Sequence, residues 1–174
     1  IHCGLVGSEM CIRDRYAGKQ YDDCIGAAHE VLRNFDKEFP HWNGRGYEIK
    51  GFAWWQGDKD RYVEAHAVNY EKNLVRLIKT LRAEFNAPKA MFVVATLGQT
   101  AKDAQPSNDK LILDAQLSVD GATGKYPEFK GNVSTVYTHP LSQGGASNSH
   151  YNGNAQTYMD VGLAMGEAMV ELLK

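Results

Sequence analysis

The chain has 174 residues, 43% hydrophobic and 23% charged, with a formal net charge of −2. That length can bury a sizeable core in one domain, the composition is ordinary for a globular chain, and the balanced charge gives no case for binding nucleic acid or an anionic membrane. No run reaches the roughly 18 apolar residues of a membrane span, and no signal peptide is visible.

Residues 1–15 predict no element. Leu5-Val6-Gly7-Ser8-Glu9-Met10-Cys11-Ile12-Arg13-Asp14-Arg15 has neither helical nor strand periodicity. It corresponds, codon for codon, to one reading frame of a transposase adapter used in short-read library preparation. The stretch is therefore set aside as non-native, as a fusion scar would be. One domain is expected over residues 16–174, as the C-terminal part of a longer one. Cys3 and Cys11 fall in the segment set aside, which leaves Cys24. One cysteine makes neither a disulfide nor a zinc cluster.

From Asp22 to Phe39 the apolar residues Ile25, Ala28, Val31, Leu32, Phe35 and Phe39 recur at helical spacing, and Pro40 ends the helix. After a loop over His41–Gly46, Tyr47–Trp55 reads as a strand. A second long helix is expected over Ala65–Phe85, with Val68, Leu74, Leu77, Ile78 and Leu81 on its apolar face. Asn86-Ala87-Pro88 breaks it. Met91–Leu97 is a continuous apolar run, the pattern of a strand buried on both faces. A polar loop over Gly98–Ser107 leads to a short helix, Asn108–Val119, and Asp120-Gly121 begins a turn. Asn132–Thr138 is the last predicted strand, closed by His139-Pro140. Asn154–Leu173 is the final helix, with Val161, Leu163, Ala164, Met165, Met169, Leu172 and Leu173 for packing. Alternating strands and helices predict a parallel sheet covered by helices on both faces.

Ligands of such folds bind at the carboxyl ends of the strands. There the run Gly51-Phe52-Ala53-Trp54-Trp55 stops at Gln56-Gly57-Asp58-Lys59-Asp60. Gln56 can donate an amide N–H to an oxyanion or hold a hydroxyl. Gly57 permits a close backbone approach. Trp54 and Trp55 point to opposite faces, so one is expected in the core while the other is free to line a site. Asp58 and Asp60 are carboxylates able to orient a histidine, touch substrate or sit at a helix start. Far downstream, His150 precedes the last helix within Ser149-His150-Tyr151-Asn152-Gly153, placed to serve as a general base.

The two blocks, in this order, resemble the sialate O-acetylesterase-like carbohydrate esterases of the SGNH hydrolase superfamily. The resemblance extends through Asn154-Ala155-Gln156-Thr157-Tyr158, Gly162 and Gly166-Glu167-Ala168-Met169. It implies a three-layer α/β/α, flavodoxin-like fold and hydrolysis of O-acetyl esters on an acetylated carbohydrate. It implies no metal or organic cofactor, and a periplasmic or secreted location. His150, Asp58 and Asp60 become the catalytic candidates; Gln56, Gly57, Trp55 and Trp54 become the oxyanion and substrate-binding candidates. Related sequences read Gln-Gly-Glu-Ser-Asp or Gln-Gly-Trp-Asn-Asp where this one has Gln56–Asp60.

Two departures stand out. The family's serine lies in a Gly-Gln-Ser-Asn-Met-like turn after the first strand. Here only Val6-Gly7-Ser8-Glu9-Met10 imitates it, inside the segment set aside. Ser8 is therefore read as a decoy, the nucleophile as missing, and the chain as nearly inactive. The superfamily commonly carries an acid three residues before its histidine. Here that position is Ser147, and no Asp or Glu occurs between Glu128 and Asp160.

A non-catalytic carbohydrate-binding domain of the same fold is the alternative. A nucleotide-binding domain is less well supported, because no Gly-x-Gly-x-x-Gly or phosphate loop is present. Nor do the histidines and acids show a metal spacing such as His-Glu-x-x-His. His139 ends a strand; His29, His41 and His66 are expected to be structural or solvated. Gln116, in Asp114-Ala115-Gln116, also matches the family, with packing as its expected role.

Overall fold

A computed structural model describes residues 19–143 and 150–174. The adapter-like segment with Ser8, and Ser147 ahead of His150, lie outside the described residues. The elements run α1 (Lys19–Arg33), α2 (Phe35–Glu38), β1 (Gly51–Trp54), α3 (Glu64–Glu84), β2 (Met91–Ala95), α4 (Asn108–Ser118), β3 (Val133–Val136) and α5 (Ala155–Leu172). Three strands form a parallel sheet in the order β1-β2-β3, with Gly51 opposite Met91 and Phe92 opposite Val133. This is the expected α/β architecture, with a parallel sheet between helices.

The central strand explains the layering. Phe92, Val93, Val94 and Ala95 are all fully buried, because β2 has neighbours on both edges and helices on both faces. Phe92 and Val94, with Val133 of β3, join the core under α3 and α4, built from Tyr70, Leu74, Leu77, Ile78, Ile112, Ala115 and Val119; Phe52 and Trp54 of β1 pack against it. On the other side α5 packs on β2 and β3. Gly51 comes so close to this helix that an added Cβ would meet Met169 at 2.6 Å.

Several boundaries differ from the sequence expectation. The predicted helix from Asp22 to Phe39 is two helices, because the Asn34 side chain donates to the Glu30 carbonyl at 3.0 Å and competes with the helical ladder. The first strand begins at Gly51 rather than Tyr47. Its partner β2 starts at Met91, opposite Gly51, and the turn before it leaves residues 47–49 without a ladder. The second strand ends at Ala95, and the Leu97 N–H turns to a side chain, the Gln116 amide oxygen, at 3.0 Å.

The apolar faces also shift. Val68 is 62% exposed; the buried stripe of α3 runs instead through Ala67, Tyr70, Leu74, Leu77 and Ile78, since position 68 falls off the i, i+3, i+4 line. Of the residues expected to pack on α5, Val161 is fully buried but Leu163 and Leu173 are exposed. Val31 and Phe39 are exposed too.

Candidate functional site

All three strands point their carboxyl ends the same way, and the loops there meet. Buried polar side chains tie the ends together. Thr138 beyond β3 donates its hydroxyl to the Thr96 carbonyl beyond β2 at 2.7 Å, and its N–H to the Thr96 hydroxyl at 3.0 Å. Gln116 of α4 is fully buried. It accepts from Leu97 N–H and donates to the Gln56 carbonyl at 2.9 Å, linking the ends of β1 and β2. Tyr70 of α3 donates to the same carbonyl, and burial pushes its hydroxyl well above the usual tyrosine range.

Between these loops lies a cavity of about 430 Å³. Trp55, Gln56, Gly57 and Asp58 after β1, Leu97 and Gln99 after β2, and His150, Tyr151 and Tyr158 around the start of α5 line it. That volume is in the range of small-molecule sites. Trp55 stacks on Tyr151, with ring centroids 5.8 Å apart and planes 21° apart, and Tyr158 tilts against Trp55 at 5.5 Å. The Tyr151 hydroxyl accepts the Gly98 N–H at 3.0 Å; burial, then the charges of Asp58 and Tyr158, raise its pKa.

Five of the sequence candidates line the cavity: Trp55, Gln56, Gly57, Asp58 and His150. Trp54 and Asp60 do not. Trp54 turns to the α3–α4 core. Asp60 is fully buried behind the wall and accepts the Gln56 side-chain N–H at 2.8 Å. Asp58 accepts from Arg61 Nε at 2.8 Å and from Gln99 Nε2 at 3.3 Å. Arg61 also reaches Asp109 at 3.3 Å. Burial works against the Arg61 charge, but Asp58 and Asp109 outweigh it and raise the guanidinium pKa.

His150 is exposed at the mouth. It is the first of three consecutive non-glycine residues in left-handed backbone: His150 (φ 49°), Tyr151 (φ 57°) and Asn152 (φ 52°). Such runs are strained and need outside support. The Tyr158 hydroxyl supplies some, donating to the His150 carbonyl at 3.0 Å. Asn154 caps α5 through Thr157 N–H at 3.0 Å, fixing the helix start just behind the histidine.

The chain matches the carbohydrate esterase, sialic acid-specific acetylesterase family over residues 1–171. It belongs to that family. A protein of known crystal structure from Arabidopsis thaliana is similar in fold, with a TM-score of 0.52 at 21% identity. The alignment covers 84% of this chain and 52% of that one, so the chain spans about half the length of the solved structure it matches. No curated protein matches.

In this family member no serine lines the cavity among the described residues. No cluster of three or more His, Cys, Asp or Glu able to hold a metal occurs there either. His139 turns its Nδ1 to the Gly98 carbonyl at 2.7 Å, beside the cavity floor. His66, expected to be structural or solvated, is buried. His29 stacks on Phe85 and pairs with Glu84.

Sequence reasoning did not single out Tyr151, Tyr158 or Tyr70. Tyr151 adjoins His150, and Tyr158 stands one helical turn inside α5; that proximity was the available signal. Tyr70 gave only its place on the i, i+3, i+4 line with Ala67 and Leu74.

Proposed function

We propose that the chain is part of a carbohydrate O-acetyl ester hydrolase that works by serine–histidine acyl transfer. The observation that carries this reading is a cavity at the strand ends that Gln56, Gly57 and His150 line together, in a member of a sialic acid-specific acetylesterase family. The nucleophile is a serine supplied by a turn that the described residues do not contain.

In this mechanism the serine oxygen attacks the acetyl carbonyl while His150 takes its proton. The tetrahedral oxyanion is held by the Gln56 amide and backbone N–H groups. Collapse breaks the bond to the sugar oxygen, and His150 returns the proton to that leaving group. Water then gives a proton to His150 and attacks the acetyl-enzyme, and His150 returns that proton to the serine oxygen as acetate leaves. Asp60 fixes the Gln56 amide from behind, and Trp55 offers an aromatic face to the sugar ring. Asp58, held by Arg61 and Gln99, orders the loop between them.

A second reading has its own support. The Trp55–Tyr151–Tyr158 cluster is an aromatic wall of the kind that binds sugars, and the Asp58 carboxylate is engaged by Arg61 and Gln99. Both features suit a non-catalytic carbohydrate-binding domain.

The deciding experiment recovers the coding sequence upstream of Tyr16, produces the whole domain and assays it on an O-acetylated sialic acid. The esterase reading expects turnover that His150→Ala abolishes, and near-background hydrolysis by the 174-residue chain alone. Glycan binding without ester cleavage in the whole domain would replace it with the binding-domain reading. Enzyme-like hydrolysis of an aryl acetate by the chain as it stands would overturn the assignment of the nucleophile.

A further inference from the structure

We infer that Gln116 and Tyr70, neither of which lines the cavity, are positioning residues that aim the Gly57 backbone N–H into it as a donor for an acyl oxygen. The inference rests on the esterase reading of that cavity.

The Gln56 carbonyl is gripped from one side of the sheet only. Its two donors are the Tyr70 hydroxyl of α3 at 2.5 Å and the Gln116 amide of α4 at 2.9 Å. The described chain has no cis peptide bond, and in a trans peptide the C=O and the next N–H point in opposite directions. The Gly57 N–H is therefore turned away from α3 and α4, toward the face where His150, Tyr151 and the start of α5 wall the cavity. Gly57 lines that cavity.

Gly57 is buried, yet its N–H makes no hydrogen bond among the described residues. A buried amide without a partner is uncommon. A ligand oxygen in the cavity would satisfy it.

The grip also fixes the residue type. Gly57 has φ +143°, which side chains rarely adopt, and an added Cβ would lie 3.0 Å from Ile112 Cγ2 and 3.2 Å from the Tyr70 hydroxyl. The orientation of the Gln116 amide is equally constrained: its oxygen faces the Leu97 N–H and its nitrogen faces a carbonyl. Gln116→Glu would set an acceptor against the Gln56 carbonyl and release the peptide. Tyr70→Phe would remove one donor while keeping the ring.

The test is a titration of the 15N-labelled chain with sodium acetate, whose carboxylate presents an oxygen like that of the acyl group. N-acetylneuraminic acid serves as a second probe. With acetate, the Gly57 amide should move downfield further than those of Gln99 and Tyr151. The Gly57 shift should shrink in Tyr70→Phe and vanish in Gln116→Glu, while the other two amides still respond. A merely structural role for the pair would lower melting temperature without this selective loss. If Gln99 and Tyr151 respond but Gly57 does not, or if the Gly57 shift survives both variants, the inference falls and the esterase reading stands. If no cavity amide responds to either probe, the esterase reading of the cavity falls and takes the inference with it.

Discussion

The Gln56 side-chain amide donates to the carboxylate of Asp60 at 2.8 Å, and Asp60 is completely shielded from solvent. An acid of the Gln-Gly-Asp-Lys-Asp block that does not itself reach the cavity thus orients the side chain of a residue that lines it. A hydrogen bond to a charged partner is worth roughly 1.5–3 kcal/mol, about twice a neutral one. Asp60→Asn in the serine-bearing domain should lower kcat about tenfold with KM little changed. Asp60→Ala should approach the ~10²–10³ loss of an oxyanion donor. Steady-state kinetics on both variants check this, and an undiminished kcat in Asp60→Ala would detach Asp60 from the function of Gln56.

Tyr158 supports the histidine through its backbone, donating to the His150 carbonyl at 3.0 Å. Tyr158→Phe keeps the ring against Trp55 and removes only this bond. Its expected effect is a kcat reduced several-fold, on the order of the ~0.5–1.5 kcal/mol of one hydrogen bond, with sugar affinity unchanged. A KM effect alone would show that Tyr158 acts as a binding surface.

Trp55 should behave in the opposite way. Its ring stacks on Tyr151 and meets Tyr158, and such aromatic contacts contribute about 0.5–1.5 kcal/mol beyond burial. Trp55→Ala should raise KM for the sugar ester roughly tenfold and leave an aryl acetate, which needs no sugar contact, nearly unaffected. Equal loss on both substrates would count against a sugar-facing role.

Gly98 sits where no side chain fits. An added Cβ would lie 1.7 Å from Ser142 Oγ and 3.2 Å from Tyr151 Cε1. Gly98→Ala should destabilise the fold by about 1–3 kcal/mol and displace the Tyr151 ring. Ser142→Gly should rescue much of this in the double variant, read by denaturant unfolding of the full cycle.

Asp120 gives the chain an acid-sensitive joint. Its carboxylate accepts the Thr135 N–H of β3 at 2.8 Å, the N–H groups of Ala122 and Thr123 and the Thr123 hydroxyl. Burial opposes the charge, but these donors outweigh it and hold the carboxyl below the usual aspartate range. With the folded pKa depressed below an unfolded value of about 3.9, the stabilisation is present above that value and is lost as pH falls through the folded pKa. Melting temperature should drop on acidification in the parent and less steeply in Asp120→Asn. The variant should be about 1–2 kcal/mol less stable at neutral pH, since the site is partly solvated.

The parts of the molecule legible in the sequence are those governed by local periodicity. Met91–Ala95 stands out because Phe92 through Ala95 are all buried and Met91 partly so, and an unbroken apolar run is what a central strand requires. The helix over Asn108–Ser118 follows the polar loop as expected, and in the fold Ser107 caps it, its side chain accepting the Lys110 N–H at 3.2 Å. What was not legible depends on partners far away in the chain. The break at Asn34 comes from a polar side chain choosing a carbonyl over the ladder. The true start of β1 is set by where β2 begins. The cavity was visible as two blocks, Gln56–Asp60 and His150, but their division of labour was not. Asp58 and Asp60 look equivalent in sequence; a guanidinium claims one and the Gln56 amide the other. Gln116 looks like a packing residue, and only the folded chain places its amide between a carbonyl and an N–H some 60 and 19 residues away.

The run of left-handed backbone at His150, Tyr151 and Asn152 carries a consequence for how this loop can vary. Asparagine tolerates that conformation well; tyrosine does so only under constraint. Glycine at 151 would relieve the conformational penalty and remove both the ring beside Trp55 and the hydroxyl that receives Gly98. Selection for heat resistance and selection for turnover would therefore pull this position toward different residues. A library at 151 sorted for each property should return two populations that scarcely overlap.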